Sequence, residues 1–206
     1  MKKIIVTTSV KTTLELNDSA QKLADELNLE YVKRNKTTIK QLLETTKGVI
    51  VVYKNKLSYF ENDSEFFFHL DTTALKIKNS DNEPLVEIIG KEKQNVLDCT
   101  MGLAGDSILL SYYGHNVTSI EKNKIIHLIT SNGLKNYISP SEEINKAMRK
   151  IITYNYDCID YLKSTPDNSF DIVYFDPMFS HNIKESENLS GITPLADKSF
   201  PYEEFI

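Results

Sequence analysis

Three short segments carry residue types that could do chemistry together. The first is Val96-Leu97-Asp98-Cys99-Thr100-Met101-Gly102-Leu103-Ala104-Gly105-Asp106-Ser107, an apolar run that ends in an acidic residue and enters a glycine-bearing turn. Gly102 and Gly105 let a backbone approach a ligand closely, although strand-to-helix turns also use glycine for geometry alone. The second is Glu121, about 20 residues after that turn, where a carboxylate can accept hydrogen bonds from both hydroxyls of a ribose. The third is Asp171-Ile172-Val173-Tyr174-Phe175-Asp176-Pro177-Met178-Phe179, an apolar strand closed by an acidic residue, a proline and an aromatic ring. An Asp carboxylate and a carbonyl in such a turn can accept the protons of a planar exocyclic amine, and the ring can stack on the base. Taken alone, each segment has a plainer reading: a geometric turn, a helix-capping acid, and an Asp-Pro turn over a core phenylalanine.

These groups need a scaffold that brings strand ends together. From Asn95 onward the pattern is regular: a strand at Val96 to Thr100, a helix from about Asp106 to Tyr113, a strand at Val117 to Glu121 and a helix from about Lys122 to Asn136. Further strands are expected at Ile151 to Tyr156 and Phe170 to Asp176. Strand and helix alternating at this spacing imply a parallel sheet with helices on its faces. Such sheets bind ligands at the carboxyl ends of their strands, where Asp98, Glu121, Asp157 and Asp176 all fall. Asp160 competes with Asp157 and reads better as an acid in a helix first turn.

Before Asn95 a smaller α/β unit is expected. Ile4 to Thr8 reads as a strand, Asn17-Asp18-Ser19 as the cap of a helix carrying Leu23, Leu27 and Leu29, and Gly48 to Tyr53 with Leu57 to Phe60 as a hairpin across Lys54-Asn55-Lys56. Phe66-Phe67-Phe68 extends that sheet. Helical pieces around Ala74 to Ile77 and Leu85 to Ile89 flank Asn79-Ser80-Asp81-Asn82, which sets a soft boundary within residues 70 to 92. Residues 1–70 are read as the small subdomain and 71–206 as the main domain.

At 206 residues, 40% of them hydrophobic, the chain can build a packed core. Its longest apolar runs fall far short of a membrane span of about 18 residues, and its start, Met1-Lys2-Lys3, runs straight into the strand-like Ile4-Ile5-Val6, so neither membrane insertion nor secretion is expected. Cys99 and Cys158 form no spaced framework, and His69, His115 and His127 have no ligand spacing, so no metal site is expected. A reducing cytoplasm is the expected location. The net charge of -5 is uneven. Residues 1–60 hold 11 Lys and Arg against 6 Asp and Glu, while the remainder holds 13 against 23. The basic first third could meet a phosphate backbone or simply be a solvated surface.

The three chemical segments together resemble the class I S-adenosylmethionine-dependent methyltransferases, and more closely the RsmJ-type enzymes that methylate the exocyclic N2 of a guanosine in small-subunit ribosomal RNA. Asp98, Thr100, Gly102, Leu103 and Asp106 match that family's first turn, with Ala104 where the family has glycine. Asp176-Pro177-Met178-Phe179 matches its catalytic turn in full. Asn132-Gly133-Leu134 and the stretch from Phe68-His69-Leu70-Asp71 to Leu75-Lys76-Ile77-Lys78 also resemble it. The resemblance implies a Rossmann-like α/β fold and S-adenosylmethionine as cofactor, held by Asp98, Thr100, Gly102, Gly105, Asp106, Glu121, Lys122, Asp157, Cys158 and Asp176. It further implies a catalytic set of Asp176, Pro177 and Phe179, with His181 a second-tier candidate for proton removal or phosphate contact. Ribosomal RNA or the small ribosomal subunit is the implied partner.

Adenine N6 and glutamine methyltransferases are rival readings, but their catalytic turns generally carry a second proline where this chain has Met178. A full sheet of the class has three more strands after the catalytic turn, and none is convincing after Phe179. Missing C-terminal strands are therefore expected, and with them a second rival, a chain that binds cofactor or RNA without turnover.

Overall fold

A computed structural model describes residues 2–78 and 83–176 of the chain. They fall into two compact units, 2–68 and 69–176, described in turn.

The first unit begins with β1 (Ile4–Thr8), α1 (Leu14–Leu27), β2 (Glu30–Tyr31), α2 (Ile39–Thr45) and β3 (Gly48–Val52), and ends with β4 (Leu57–Glu61) and β5 (Ser64–Phe67). The strand order is β2-β1-β3-β4-β5; the first three strands are parallel and the last two antiparallel. All five residues of β3 are buried, which is why its run of valine and isoleucine is unbroken rather than alternating. Gly48 has no side chain because the Tyr59 ring lies on it: an added Cβ would sit 2.3 Å from the phenol oxygen. α1 starts earlier than the sequence suggested, because Thr13 rather than Asn17-Asp18-Ser19 is the cap. The Thr13 hydroxyl accepts the Leu16 N–H at 3.2 Å. Helix α2, absent from the sequence expectation, is set by a capping box between Thr38 and Gln41 and packs Leu42 against Ile5, Val49 and Val51.

The second unit contains α3 (Asp71–Lys78), α4 (Pro84–Ile89), β6 (Asn95–Asp98), α5 (Gly105–Tyr112), β7 (Asn116–Ile120), α6 (Lys124–Asn136), α7 (Glu142–Lys150), β8 (Ile152–Tyr154), α8 (Cys158–Ser164) and β9 (Ile172–Tyr174). Its sheet is wholly parallel, in the order β8-β7-β6-β9. Val96, Leu97, Ile108, Leu109, Leu110 and Ile120 are all fully buried and form its centre. Burying such a side chain stabilises by about 1.5–3 kcal/mol each. α7 was not expected from the sequence, since only Ile144, Ala147 and Met148 in it are apolar. Those three share one face, which packs on α5, where the Ser111 hydroxyl donates to the Ala147 carbonyl at 2.9 Å. Ser141 caps its start, with Glu142 and Glu143 in the first turn and Arg149 and Lys150 in the last, as the helix dipole favours. No helix among the described residues is long and apolar enough to cross a membrane.

Candidate active site

The register of the second sheet aligns the ends of its strands. Asp98 at the end of β6 pairs with Ser119 of β7 on one side and with Tyr174 of β9 on the other, while Ile120 pairs with Tyr154 of β8. The residues that follow these strands therefore gather at one edge: the turn 99–104 after β6, Glu121 after β7, Asp157 after β8 and Asp176 after β9. Pro177, Met178, Phe179 and His181 lie outside the described residues.

The turn is built from below by Asp98. Its carboxylate is 2% exposed; Oδ1 accepts the Thr100 N–H at 2.9 Å and Oδ2 accepts the Ser107 hydroxyl at 2.5 Å. Ser107 in turn contacts the Ser119 hydroxyl at 2.7 Å. Burial pushes the Asp98 pKa up to about 6, with Asp106 and Asp176 adding to the rise and the two hydrogen bonds opposing it. Asp98 thus faces the interior and shapes the loop.

Above it, Gly102 (φ 50°) and Ala104 (φ 59°, ψ 27°) are both left-handed. A non-glycine residue in that region costs about 1–2 kcal/mol, so Ala104, fully buried at the cap of α5, adopts the geometry that the family's glycine would adopt freely. Gly105 has little room for a side chain, since an added Cβ would lie 3.0 Å from the hydroxyl of Thr73 on α3. Gly102 is pinned twice: its N–H donates to Glu121 Oε2 at 3.2 Å and its carbonyl accepts the Thr130 hydroxyl at 2.7 Å.

Glu121 is held from both sides. Its Oε1 accepts the Asn123 N–H at 2.8 Å, and its backbone carbonyl accepts the Asn155 amide at 2.7 Å. The Asp157 carboxylate caps α8 through the Ile159 N–H at 2.9 Å and forms an ion pair with Lys122 at 3.1 Å. Burial works against its charge, but Lys122 and the helix N–H groups hold its pKa below the usual carboxylate value. Asp160 sits in the first turn of α8. Cys158 is buried beside Cys99, with Leu97 and Ile120, and both thiols are free.

The fourth element is the end of β9. The Asp176 N–H donates to Thr100 Oγ1 at 2.7 Å, which ties the strand end to the turn. Partial burial and the charge of Asp106 raise the Asp176 pKa, while Lys76 holds it down. Two residues that the motifs did not single out complete this corner. Tyr174 donates its hydroxyl to Asp106 Oδ2 at 2.9 Å, and Lys76 of α3 contacts Asp106 Oδ1 at 2.6 Å. Burial works against the Lys76 charge, but the bond to Asp106 raises its pKa overall. In sequence, Lys76 belonged only to a stretch that resembled the family, and Tyr174 read as one more residue of a buried strand.

A parallel α/β sheet with a glycine-bearing first turn and carboxylates at the ends of its strands is the arrangement of a nucleoside-cofactor fold. The chain belongs to the family described as "Putative SAM-dependent methyltransferase", whose model matches residues 22–190, and its cofactor is S-adenosylmethionine. It is 35% identical over 208 residues to the "Uncharacterized protein YpiP" of Bacillus subtilis (strain 168), covering 97% of this chain and 81% of that one. It is 29% identical over 182 residues to ribosomal RNA small subunit methyltransferase J of Francisella tularensis subsp. holarctica, covering 86% of this chain and 70% of that one. In structure it resembles the SAM-dependent methyltransferase NGO1261 from Neisseria gonorrhoeae, with a TM-score of 0.58 at 17% identity over 84% of this chain and 69% of that one. The fold is Rossmann-like, as the sequence implied.

Proposed function

We propose that this methyltransferase acts on N2 of a guanine in small-subunit ribosomal RNA. The observation that carries the reading is the placement of Asp176, first residue of Asp-Pro-Met-Phe, against Thr100 of the glycine turn. The reading is supported by the likeness to an enzyme whose name specifies small-subunit ribosomal RNA.

The residues present fit the cofactor. Glu121, already oriented by two backbone N–H groups, offers its carboxylate to the ribose hydroxyls. Asp157 and Cys158 border the place for the adenine, and Gly105 and Asp106 that for the methionine portion, with Asp98 and Thr100 holding the turn and Lys122 steadying Asp157. When bound, S-adenosylmethionine supplies an electrophilic methyl group carried on a sulfonium. The cluster of Asp98, Asp106, Glu121 and Asp176 sets an acidic environment that suits that cation.

Guanine N2 is a weak nucleophile because its lone pair is delocalised into the ring. Asp176 would accept one N2–H, favour a more tetrahedral nitrogen and fix its direction of approach, so that positioning supplies much of the acceleration. Pro177 and Phe179 would face the base, Phe179 by stacking. The test is incubation of the chain with S-adenosylmethionine and unmodified small-subunit ribosomal RNA, followed by nuclease digestion and mass spectrometry of the nucleosides. N2-methylguanosine is the expected product. Label in N6-methyladenosine, or in a protein glutamine offered in its place, would overturn the assignment.

A further inference from the structure

The first unit carries a polarised surface. Its parallel strands β2, β1 and β3 share one direction, so their carboxyl ends lie together. Lys11 follows β1, Lys33 follows β2, Lys36 and Lys40 lead into and open α2, and Lys54 and Lys56 form the turn after β3. All six are exposed, as are Glu15 and Asp18 in the first turns of α1 at the same end, so lysines outnumber acids there. Lys56 is paired with Glu65 at 3.2 Å, and the other five form no ion pair among the described residues. The opposite end has the contrary sign. The last turns of α1 and α2, the start of β2 and the β4–β5 turn place Asp25, Glu26, Glu44, Glu30 and Asp63 there, against Lys2, Lys3 and Lys47.

The cationic end is also rigidly built. Arg34, 7% exposed, donates from Nη1 to the Thr8 carbonyl at 3.2 Å and from Nε to the Thr37 carbonyl, tying the loop 34–37 to the end of β1. Within that loop Asn35 (φ 41°) and Lys36 (φ 68°) are both left-handed, a conformation that persists for non-glycine residues only where surrounding bonds impose it. The loop thereby presents Lys33 and Lys36 on a fixed backbone. The position is that of a ligand crevice in an open sheet. β1 connects to β2 on one side, and the chain then crosses back to β3 on the other, so the strand order reverses at the carboxyl ends of β1 and β3. Thr8 Oγ1, at the end of β1, is buried without a hydrogen-bond partner among the described residues.

We infer that this end of the first unit is a phosphate-contacting surface, and that its partner is the RNA acceptor. The inference rests on the proposed RNA substrate and adds where the RNA backbone is held. Unpaired lysines on a fixed loop neutralise phosphodiesters without reading bases, which suits an enzyme whose net charge is acidic and whose RNA affinity must be local.

The test compares two charge reversals of equal size in the full chain: Lys33→Glu/Lys36→Glu/Lys54→Glu at the cationic end and Lys2→Glu/Lys3→Glu/Lys47→Glu at the opposite end. Fluorescence anisotropy with a labelled fragment of small-subunit ribosomal RNA reads binding across a salt series. Titration with S-adenosylhomocysteine reads the integrity of the fold and is expected to be unchanged in both. The first variant is expected to bind RNA about tenfold or more weakly and to lose about 2 from the slope of log affinity against log salt, since each phosphate contact contributes about 0.7–0.9. The second variant is expected to change affinity by less than about twofold. Equal loss in both variants, or no loss in the first, overturns the inference. So does loss in the first variant confined to anionic phosphatidylglycerol vesicles, which would assign the surface to a membrane. Methyl transfer to RNA that persists undiminished in the first variant removes this surface and leaves the proposed acceptor standing. Absence of transfer to RNA with S-adenosylhomocysteine binding intact removes the acceptor.

Discussion

The two units place opposite charges at equivalent ends of their sheets. In both, parallel strands are joined by helices and the chain crosses back past the first strand, so loops converge where the strands end. In the first unit those loops carry lysines held on a frame made by Arg34; in the second they carry Asp98, Asp106, Glu121, Asp157 and Asp176. Topology selects where a ligand sits, and the residues after each strand select which ligand. A carboxylate-lined edge suits a sulfonium and ribose hydroxyls, and a lysine-lined edge suits phosphodiesters. The difference extends to burial. The carboxylates of the second unit are held by backbone N–H groups and hydroxyls, whereas the lysines of the first unit stand in solvent.

The contrast can be broken most severely at Asp176. Replacing it with Ala removes the proposed acceptor of the amine protons and is expected to lower methyl transfer by about a thousandfold or more, while S-adenosylhomocysteine binding by calorimetry stays within a few fold. Retained turnover would show that the acidic edge serves binding alone.

The next effect concerns the buried member of that edge. The folded-state pKa of Asp98, about 6, lies above its unfolded value near 3.9, so in this window the folded chain binds the proton more tightly. Stability is therefore expected to fall as pH rises from about 4 to about 6, by about 3 kcal/mol from this group. Asp98→Asn should flatten that part of the profile in urea titrations across pH. A variant with the wild-type slope would show that Asp98 ionises freely despite its burial.

Glu121→Ala removes the carboxylate proposed to hold the ribose and is expected to weaken S-adenosylhomocysteine about tenfold, the loss of roughly one charged hydrogen bond. Thermal stability should fall less, because Gly102 keeps its bond to Thr130. The smallest effect is at Lys76, the cation that faces Asp106 among the described residues. Lys76 lowers the pKa of Asp176, so Lys76→Met should let it rise and move the acid limb of the kcat/KM profile to higher pH. An unmoved limb with lowered affinity for S-adenosylhomocysteine would make Lys76 a binding group instead.

Much of this was legible in the chain. The long apolar runs of β3 and β6, the glycine turn and the Asp-Pro-Met-Phe segment specify elements whose type depends on local pattern; apart from the two-residue β2, which was not expected, the observed strands fall within a residue or two of those expected. Helices α2 and α7 were not legible, because each has few apolar positions and gains its stability from the face it lays on a neighbour. In the candidate site, the ends of the strands followed from alternation and the acids from their spacing. The interior role of Asp98, the tie from Asp176 to Thr100, and the joining of Lys76 and Tyr174 on Asp106 did not. These partners lie from 9 to 76 residues apart in the chain, and periodicity carries no information over such distances. The sequence by itself determined which strands are buried, where the turns need glycine and which acids stand at strand ends, because those depend on neighbours along the chain. Only the tertiary structure decided which acid is buried and protonated more readily, which cation faces which carboxylate, that two distant cysteines share one apolar cluster, and that six lysines of the first unit collect at one end. Those outcomes depend on burial and on distance through space, which strand register and helix packing impose.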